Sequence, residues 1–495
     1  MNTAFTPSKF QKEIFETFKT SSQNLVISAV AGSGKTTTIL KLLEHIPPGK
    51  KTIFLAFNKS IAEELAKRVP KGKGIEAINF HALGARFLMR EYKGQASIVP
   101  SKLYGIAKKA LPSVHTYVEA KKVDLYLYNL TKIINLYRLG LFDSPDDISK
   151  IIEAHGFPQI GNELADSKTL LLAYREYNKT WRTQSKKFMV DFADMLYLPV
   201  KRRYLKNDYD YVFVDEVQDL NAVQQEFVSG LLKSTGKFVA VGDKHQSIYG
   251  FMGADSEAYE KVLQRPNTIE LPLSYSYRCG KKIAEIANTI YPVIESPDDM
   301  AEGEVIEKKD FAGIQGKDFV LCRNVKPLVE LYFSFIDKET TSYVKGKEIG
   351  DEIIGLIKVH KKETKADLLE SLAYSLKQIE TRLKARGVKE KSIPYNRAYS
   401  VLNEKIEIIQ IISKKYESVE EIISCVERIF KDIGEGVMLS TIHKAKGLEA
   451  DNVWFYKPSL IPSPYAEKSW QIQQEKNLLY VAYTRAKKTL NLIEA

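Results

Sequence analysis

The apolar run Leu25-Val26-Ile27-Ser28 passes directly into Ala29-Val30-Ala31-Gly32-Ser33-Gly34-Lys35-Thr36, and helix-forming residues follow from Thr37 to Glu44. A buried strand, a glycine turn and a helix in that order commit the chain to an α/β architecture built around a phosphate cradle. Gly32 and Gly34 let successive backbone N–H groups converge on phosphate oxygens, and the helix N-terminus adds partial positive charge. Lys35 is expected to reach the β and γ phosphates of a nucleotide, and Thr36 to offer its hydroxyl to Mg²⁺. A strict Walker A sequence has glycine at position 29, where this chain has alanine.

A second strand, Tyr211-Val212-Phe213-Val214, runs into Asp215-Glu216-Val217-Gln218-Asp219. Acids at the end of an apolar strand lie at the carboxyl edge of a parallel sheet, where such sheets bind ligands. Asp215 would hold Mg²⁺ through water, and Glu216 would orient and deprotonate an attacking water.

Further segments follow in a fixed order. Gln11 precedes the glycine turn; Ala56-Phe57-Asn58-Lys59 and Asn79-Phe80-His81-Ala82-Leu83 follow it. After the acids come Val241-Gly242-Asp243-Lys244-His245-Gln246-Ser247-Ile248-Tyr249-Gly250-Phe251 and then Tyr277-Arg278. Thr441-Ile442-His443-Lys444-Ala445-Lys446-Gly447-Leu448-Glu449 and Tyr480-Val481-Ala482-Tyr483-Thr484-Arg485-Ala486 close the series. From Phe10 to Arg485 this order resembles the UvrD/Rep/PcrA group of superfamily 1A DNA helicases. The His-Lys-Ala-Lys-Gly-Leu-Glu and Asn-Lys-Ser-Ile-Ala runs are closest to its F-box DNA helicase branch.

The resemblance implies two RecA-like P-loop domains, each with a mainly helical insertion, and an ATP site divided between them. ATP and Mg²⁺ would be the cofactors. Gln11 would read the adenine edge, Tyr277 would stack on its face, and Glu449 would contact the ribose. Ala31, Gly32, Ser33, Gly34, Lys35, Thr36 and Thr37 would line the phosphates. Arg278 and Arg485 would stabilise charge on the transferring phosphoryl group, a task suited to a guanidinium that stays ionised and presents a rigid fork of donors. Gln246 would sense the γ phosphate and couple it to Tyr249 and Phe251. Those two residues, with Asn58, His81, His443 and Lys444, are the implied DNA contacts.

The chain also departs from the group. Thr37 stands where close relatives of PcrA carry an adenine-stacking arginine, and Phe251 where the group has tryptophan. Residue 56, a DNA-stacking aromatic in PcrA-like chains, is alanine here, and Phe57 alternates out of phase with it, which points to the core.

Lys and Arg total 73 against 62 acids, a net charge of +11, so the chain's field favours a polyanion. Its 495 residues exceed a single core. The expected division is 1–88, 187–275 for the first RecA-like domain, with a helical insertion at 89–186 carrying Val123, Leu127, Leu130, Ile134 and Tyr137 at helical spacing. Residues 276–336 and 436–495 form the second, with an insertion at 337–435. No apolar run approaches the length of a membrane span, the start lacks the features of a signal peptide, and three scattered cysteines suggest neither a metal framework nor disulfides. A DNA-associated cytoplasmic location is expected, or the nucleus in a eukaryote. Ten residues precede Gln11 and ten follow Arg485, so no F-box, no strand-wedging hairpin after the last motif and no nuclease tail are expected.

The resulting expectation is an ATP-dependent helicase or translocase moving 3′ to 5′ on single-stranded DNA, with single strands and single-/double-strand junctions as partners. The polarity comes from the resemblance alone. Replication or recombination proteins would be further partners; the pathway and the oligomeric state stay open, a monomer being compatible with the sequence. The rival is an ATP-gated single-strand binding or recombinase-stripping module that scarcely unwinds duplex.

Overall fold

The computed structural model describes residues 5–57, 59–70, 74–111, 123–155, 157, 163–180, 182, 186–248, 257–385, 390, 397–464, 466 and 468–494. The chain divides into two compact units, Met1–His155 with Gln159–Ser276, and Tyr277–Ala495.

In the first unit the strands are β1 (Asn24–Ala29), β2 (Thr52–Ala56), β3 (Ile75–Asn79), β4 (Ala96–Ile98), β5 (Phe188–Val190), β6 (Tyr209–Val214), β7 (Leu232–Gly242) and β8 (Thr268–Leu273). Six of them form one sheet in the order β3-β2-β6-β7-β1-β8, and every pairing is parallel. Parallel strands covered on both faces read as continuous apolar runs, and β2 is buried along its whole length. One face packs the helix Lys9–Thr20, through Phe10, Ile14, Phe15 and Phe18, and the helix Lys35–Glu44, through Ile39, Leu42 and Leu43, against Leu25, Ile27, Phe54 and Phe213. Lys237 is buried under the end of the first of these helices, where its ammonium donates to the carbonyls of Phe18 at 2.9 Å and Ser21 at 2.7 Å.

Between β4 and β5 lie the helices Lys102–Ala110, Val123–Leu139, Asp147–His155 and Glu163–Thr180. All five positions expected to share a helix face, Val123, Leu127, Leu130, Ile134 and Tyr137, are buried. Phe188–Val190 pairs with Ala96–Ile98 in a separate two-stranded parallel sheet. Phe57 is also not where alternation places it. The strand β2 stops at Ala56, so Phe57 lies beyond the sheet edge and is 38% exposed, while Ala56 is fully buried.

The second unit holds β9 (Glu304–Lys308), β10 (Phe319–Cys322), β11 (Ser342–Lys345), β12 (Phe430–Lys431), β13 (Val437–Thr441), β14 (Ala450–Tyr456) and β15 (Ala486–Ile493). They form a second all-parallel sheet in the order β12-β11-β13-β10-β14-β15-β9. Two helix-flanked parallel sheets make an α/β protein with two RecA-like domains, as expected. The stretch 337–435 is not wholly outside the sheet, however: β11 and β12 close one edge, and the helices from Lys347 to Ile429 lie between them. No described helix is long and apolar enough to cross a membrane.

Candidate nucleotide site and DNA-facing surface

The turn after β1 is shaped by two left-handed residues, Gly32 at φ 73° and Gly34 at φ 78°, a conformation open to glycine at little steric cost. Gly34 caps the helix Lys35–Glu44 without a side-chain partner, so the first amides of that helix remain directed into the turn. Ser33 is buried, and its hydroxyl has no hydrogen-bond partner among the described residues. Ala31 is buried as well, and its carbonyl accepts from the Ser276 hydroxyl at 2.8 Å, a tie between the turn and the chain beyond β8. Thr36 and Thr37 are half-buried in the helix's first turn.

Lys35 points to the end of the neighbouring strand β6, where its ammonium pairs with Glu216 at 3.1 Å. Burial alone would lower the lysine's pKa, but Glu216, Asp215 and Asp243 together raise it. Asp215 is pushed up to about 7, first by burial and then by Glu216. Asp243 also rises, through burial, although Lys35 opposes the change. Three acids thus surround one cation at the carboxyl edge of the sheet. Glu216 sits in the left-handed region at φ 51° and ψ 46°, a conformation that costs a non-glycine residue about 1 kcal/mol or more. Gln218 holds it there. The Gln218 amide donates to Glu216 at 2.5 Å and accepts from the Asp243 backbone N–H at 3.1 Å. A Cβ on Gly242 would collide with that same Gln218 carbonyl oxygen, so glycine is required at the end of β7.

Gln246 is buried and donates to Asp243 at 2.7 Å. Gln11 is buried too. Its carbonyl oxygen closes a capping box with the Ser8 N–H at 3.0 Å, and its amino group donates to Thr38 at 3.0 Å.

In the second unit, Arg278 forms an ion pair with Glu449 at 2.6 Å and donates to the Thr484 carbonyl at 3.3 Å. Lys487 also pairs with Glu449, at 2.7 Å. Although burial works against it, Lys487 and Arg278 hold the Glu449 carboxyl below its usual range. Arg485 is buried, and its guanidinium donates to the carbonyls of Val481 at 3.0 Å and Leu448 at 3.2 Å and to the Thr484 hydroxyl at 3.2 Å. Arg278, Glu449, Lys487 and Arg485 therefore converge on Thr484 and Leu448. Tyr277, beside Arg278, is 49% exposed.

Residues 9–267 match the family described as the UvrD/REP helicase N-terminal domain, and residues 328–495 match the UvrD-like helicase C-terminal domain. The chain belongs to the UvrD/REP helicase family. Similar proteins include F-box DNA helicase 1 of Gallus gallus, 26% identical over 94% of this chain and 47% of its own length. F-box DNA helicase protein 1 of Schizosaccharomyces pombe is 27% identical over 97% of this chain and 57% of its own. The ATP-dependent DNA helicase PcrA of Staphylococcus aureus is 28% identical over 56% of this chain and 39% of its own. The chain thus spans about half the length of the F-box relatives it matches.

Of the side chains that resemblance to UvrD/REP helicases marks as DNA contacts, Asn58, Tyr249 and Phe251 lie outside the described residues. His81 is half-buried on the helix Phe80–Glu91, and burial lowers its pKa. Its ring meets Phe192 edge-on, with centroids 6.3 Å apart and planes at 79°. Phe192 is 55% exposed as the first residue of the helix Phe192–Lys201. Sequence reading marks Phe188–Leu196 as resembling a helicase motif but assigns Phe192 no DNA contact; the signal was an aromatic residue between two acids at a helix start, Asp191-Phe192-Ala193-Asp194. In the second unit His443 is half-buried, and its pKa is pushed down to about 3 by burial and the nearby Arg323 guanidinium, so it is neutral at physiological pH. Lys444 is exposed and paired with Glu348.

Proposed function

We propose that this UvrD/REP helicase is an ATP-driven motor that moves 3′ to 5′ along single-stranded DNA and uses the cycle to separate strands or displace bound protein. The observation that carries this reading is the half-buried pairing of Lys35 with Glu216 beside Asp215 and Asp243, at the mouth of a glycine turn. A lysine surrounded by acids is matched in charge while the site lacks a polyphosphate. When ATP enters, Lys35 exchanges Glu216 for β and γ phosphate oxygens, and Glu216 is released as a carboxylate able to take a proton from water. The Ser33 hydroxyl, unpartnered among the described residues, and the amides of the turn donate to the phosphate oxygens. Gln246 senses the γ phosphate through its link to Asp243.

The donor set fits a hard divalent cation: the Thr36 hydroxyl and the Asp215 carboxylate are oxygen ligands, and an Asp215 held near pH 7 by desolvation and like charge gains from a neighbouring cation. Mg²⁺ bound there supplies neutralisation of phosphate charge. Gln11 and Tyr277 take the adenine, and Glu449 the ribose. Arg278 and Arg485 supply cationic donors to the transferring phosphoryl group, Arg278 on release from Glu449. His81, Phe192, His443 and Lys444, with Asn58, Tyr249 and Phe251, are assigned as strand contacts, and each stacked base contributes roughly 1 to 3 kcal/mol.

The test is strand displacement on duplexes with a 3′ or a 5′ single-stranded tail. At least tenfold faster displacement from the 3′ tail is expected. Equal rates from the two tails would remove the polarity, and ATP turnover with protein stripping but no displacement would favour the single-strand remodeller.

A further inference from the structure

The helical segment of the first unit is joined to the helix Phe192–Lys201 by a buried ion cluster. Arg138, on the helix Val123–Leu139, is fully buried and forks onto Asp191, with its two terminal nitrogens 2.9 and 3.0 Å from the two carboxylate oxygens. It also donates to Asp194 at 2.8 Å. Lys102, on the helix Lys102–Ala110, pairs with Asp194 at 2.8 Å, and Tyr174, on the helix Glu163–Thr180, donates its hydroxyl to Asp194 at 2.6 Å. Lys102, Tyr174 and Asp194 are buried, as is Asp191. Two cations and two anions balance, as buried charges must.

Both acids have a second task. Asp191 caps the helix that begins with Phe192, accepting from the Asp194 N–H at 2.9 Å, while Asp194 accepts from the Asp191 N–H at 2.9 Å. The first turn of that helix is therefore clamped from both sides, by its own capping box and by Arg138. On its other flank the helix abuts the one that carries His81: a Cβ on Gly84 would overlap the Met195 carbonyl, so the two backbones touch. With the start pinned by Arg138 and the flank by Gly84, the exposed Phe192 ring is held edge-on to His81.

We infer that Arg138 is a positioning residue for single-stranded DNA, acting through Asp191 and Asp194 to hold Phe192 beside His81 where a base stacks. This rests on the proposed reading of His81 and Phe192 as strand contacts. Sequence offers no role for Arg138, which lies in none of the helicase motifs and far from the nucleotide turn in the chain.

The experiment measures anisotropy of labelled oligo(dT), and of an abasic strand of equal length, against the full chain carrying Phe192→Ala, Arg138→Lys or both. Lysine keeps the charge but loses the bidentate fork. Each single variant is expected to bind oligo(dT) about tenfold more weakly and the abasic strand within about twofold of the parent, because what is lost is stacking. The double variant should bind oligo(dT) no more weakly than Phe192→Ala, since Arg138 acts through that ring. Additive losses, equal losses on both strands, or parent-like binding by Arg138→Lys would overturn the inference while leaving the DNA reading intact. Parent-like oligo(dT) binding by Phe192→Ala would overturn the DNA reading itself, and the inference with it. Should Arg138→Lys not fold, Tyr174→Phe decides: it removes one hydrogen bond to Asp194 and keeps both cations, with a two- to threefold loss confined to oligo(dT) expected and no loss contradicting the inference.

Discussion

Replacing Glu216 with glutamine is expected to slow DNA-stimulated ATP hydrolysis by about 10²- to 10⁴-fold, the span of a lost general base, while oligo(dT) affinity stays near that of the parent. Glutamine keeps the shape and can still meet Gln218, but it cannot take a proton from water. The substitution also removes a charge from the cluster around Lys35. Burial is the larger cause of the raised Asp215 pKa and persists in the variant, while loss of the Glu216 charge should lower that pKa in part. A sluggish enzyme with a well-formed nucleotide site is therefore expected, not an unfolded one. Phosphate release in the presence of oligo(dT) checks this, and turnover within a few-fold of the parent would remove Glu216 from the role of base.

The largest effect on stability is expected at Arg138, far from that chemistry. Truncation to alanine leaves Asp191 and Asp194 buried with Lys102 as their remaining cationic partner, and breaking a buried pair in this way costs about 3 to 5 kcal/mol. The exposed pair Arg68–Glu64, at 3.0 Å with side chains 44% and 66% exposed, is the control, since Arg68→Ala should cost no more than about 0.5 kcal/mol. Urea unfolding followed by circular dichroism measures both. Equal midpoints for the two variants would mean that the buried cluster contributes little beyond packing. Replacing all its charged members with apolar residues of similar volume is a different experiment, because no uncompensated charge remains.

What was legible in the sequence was local. The turn at Gly32 and Gly34 and the acids after β6 each sit at the end of one strand, and their spacing is set by one stretch of backbone. The strands β10 and β13 are short apolar runs in the sequence, as strands covered on both faces are. What escaped depended on contacts between distant segments. Phe57 looked like core because alternation says nothing about where a strand stops. Arg138 lies four residues after Ile134 on the same apolar face, the one trace that its charge is turned inward. Its partners are more than fifty residues away in the chain, so no local pattern pairs them. Phe192 lies between those partners and escaped with them.

The engagement of Arg278 with Glu449 and of Lys35 with Glu216 gives both units the same logic. In each, a cation suited to phosphate is paired with a carboxylate that is itself assigned a role toward the nucleotide. On the proposed reading, nucleotide binding would exchange one set of ion pairs for another.

The most direct test of the central claim, that this chain couples nucleotide hydrolysis to a DNA strand, is steady-state ATP turnover by the full chain with Mg²⁺, with and without oligo(dT). The account predicts that oligo(dT) raises kcat at least tenfold and that Lys35→Ala abolishes the stimulated rate. Turnover that ignores DNA, or that survives intact in Lys35→Ala, would contradict it.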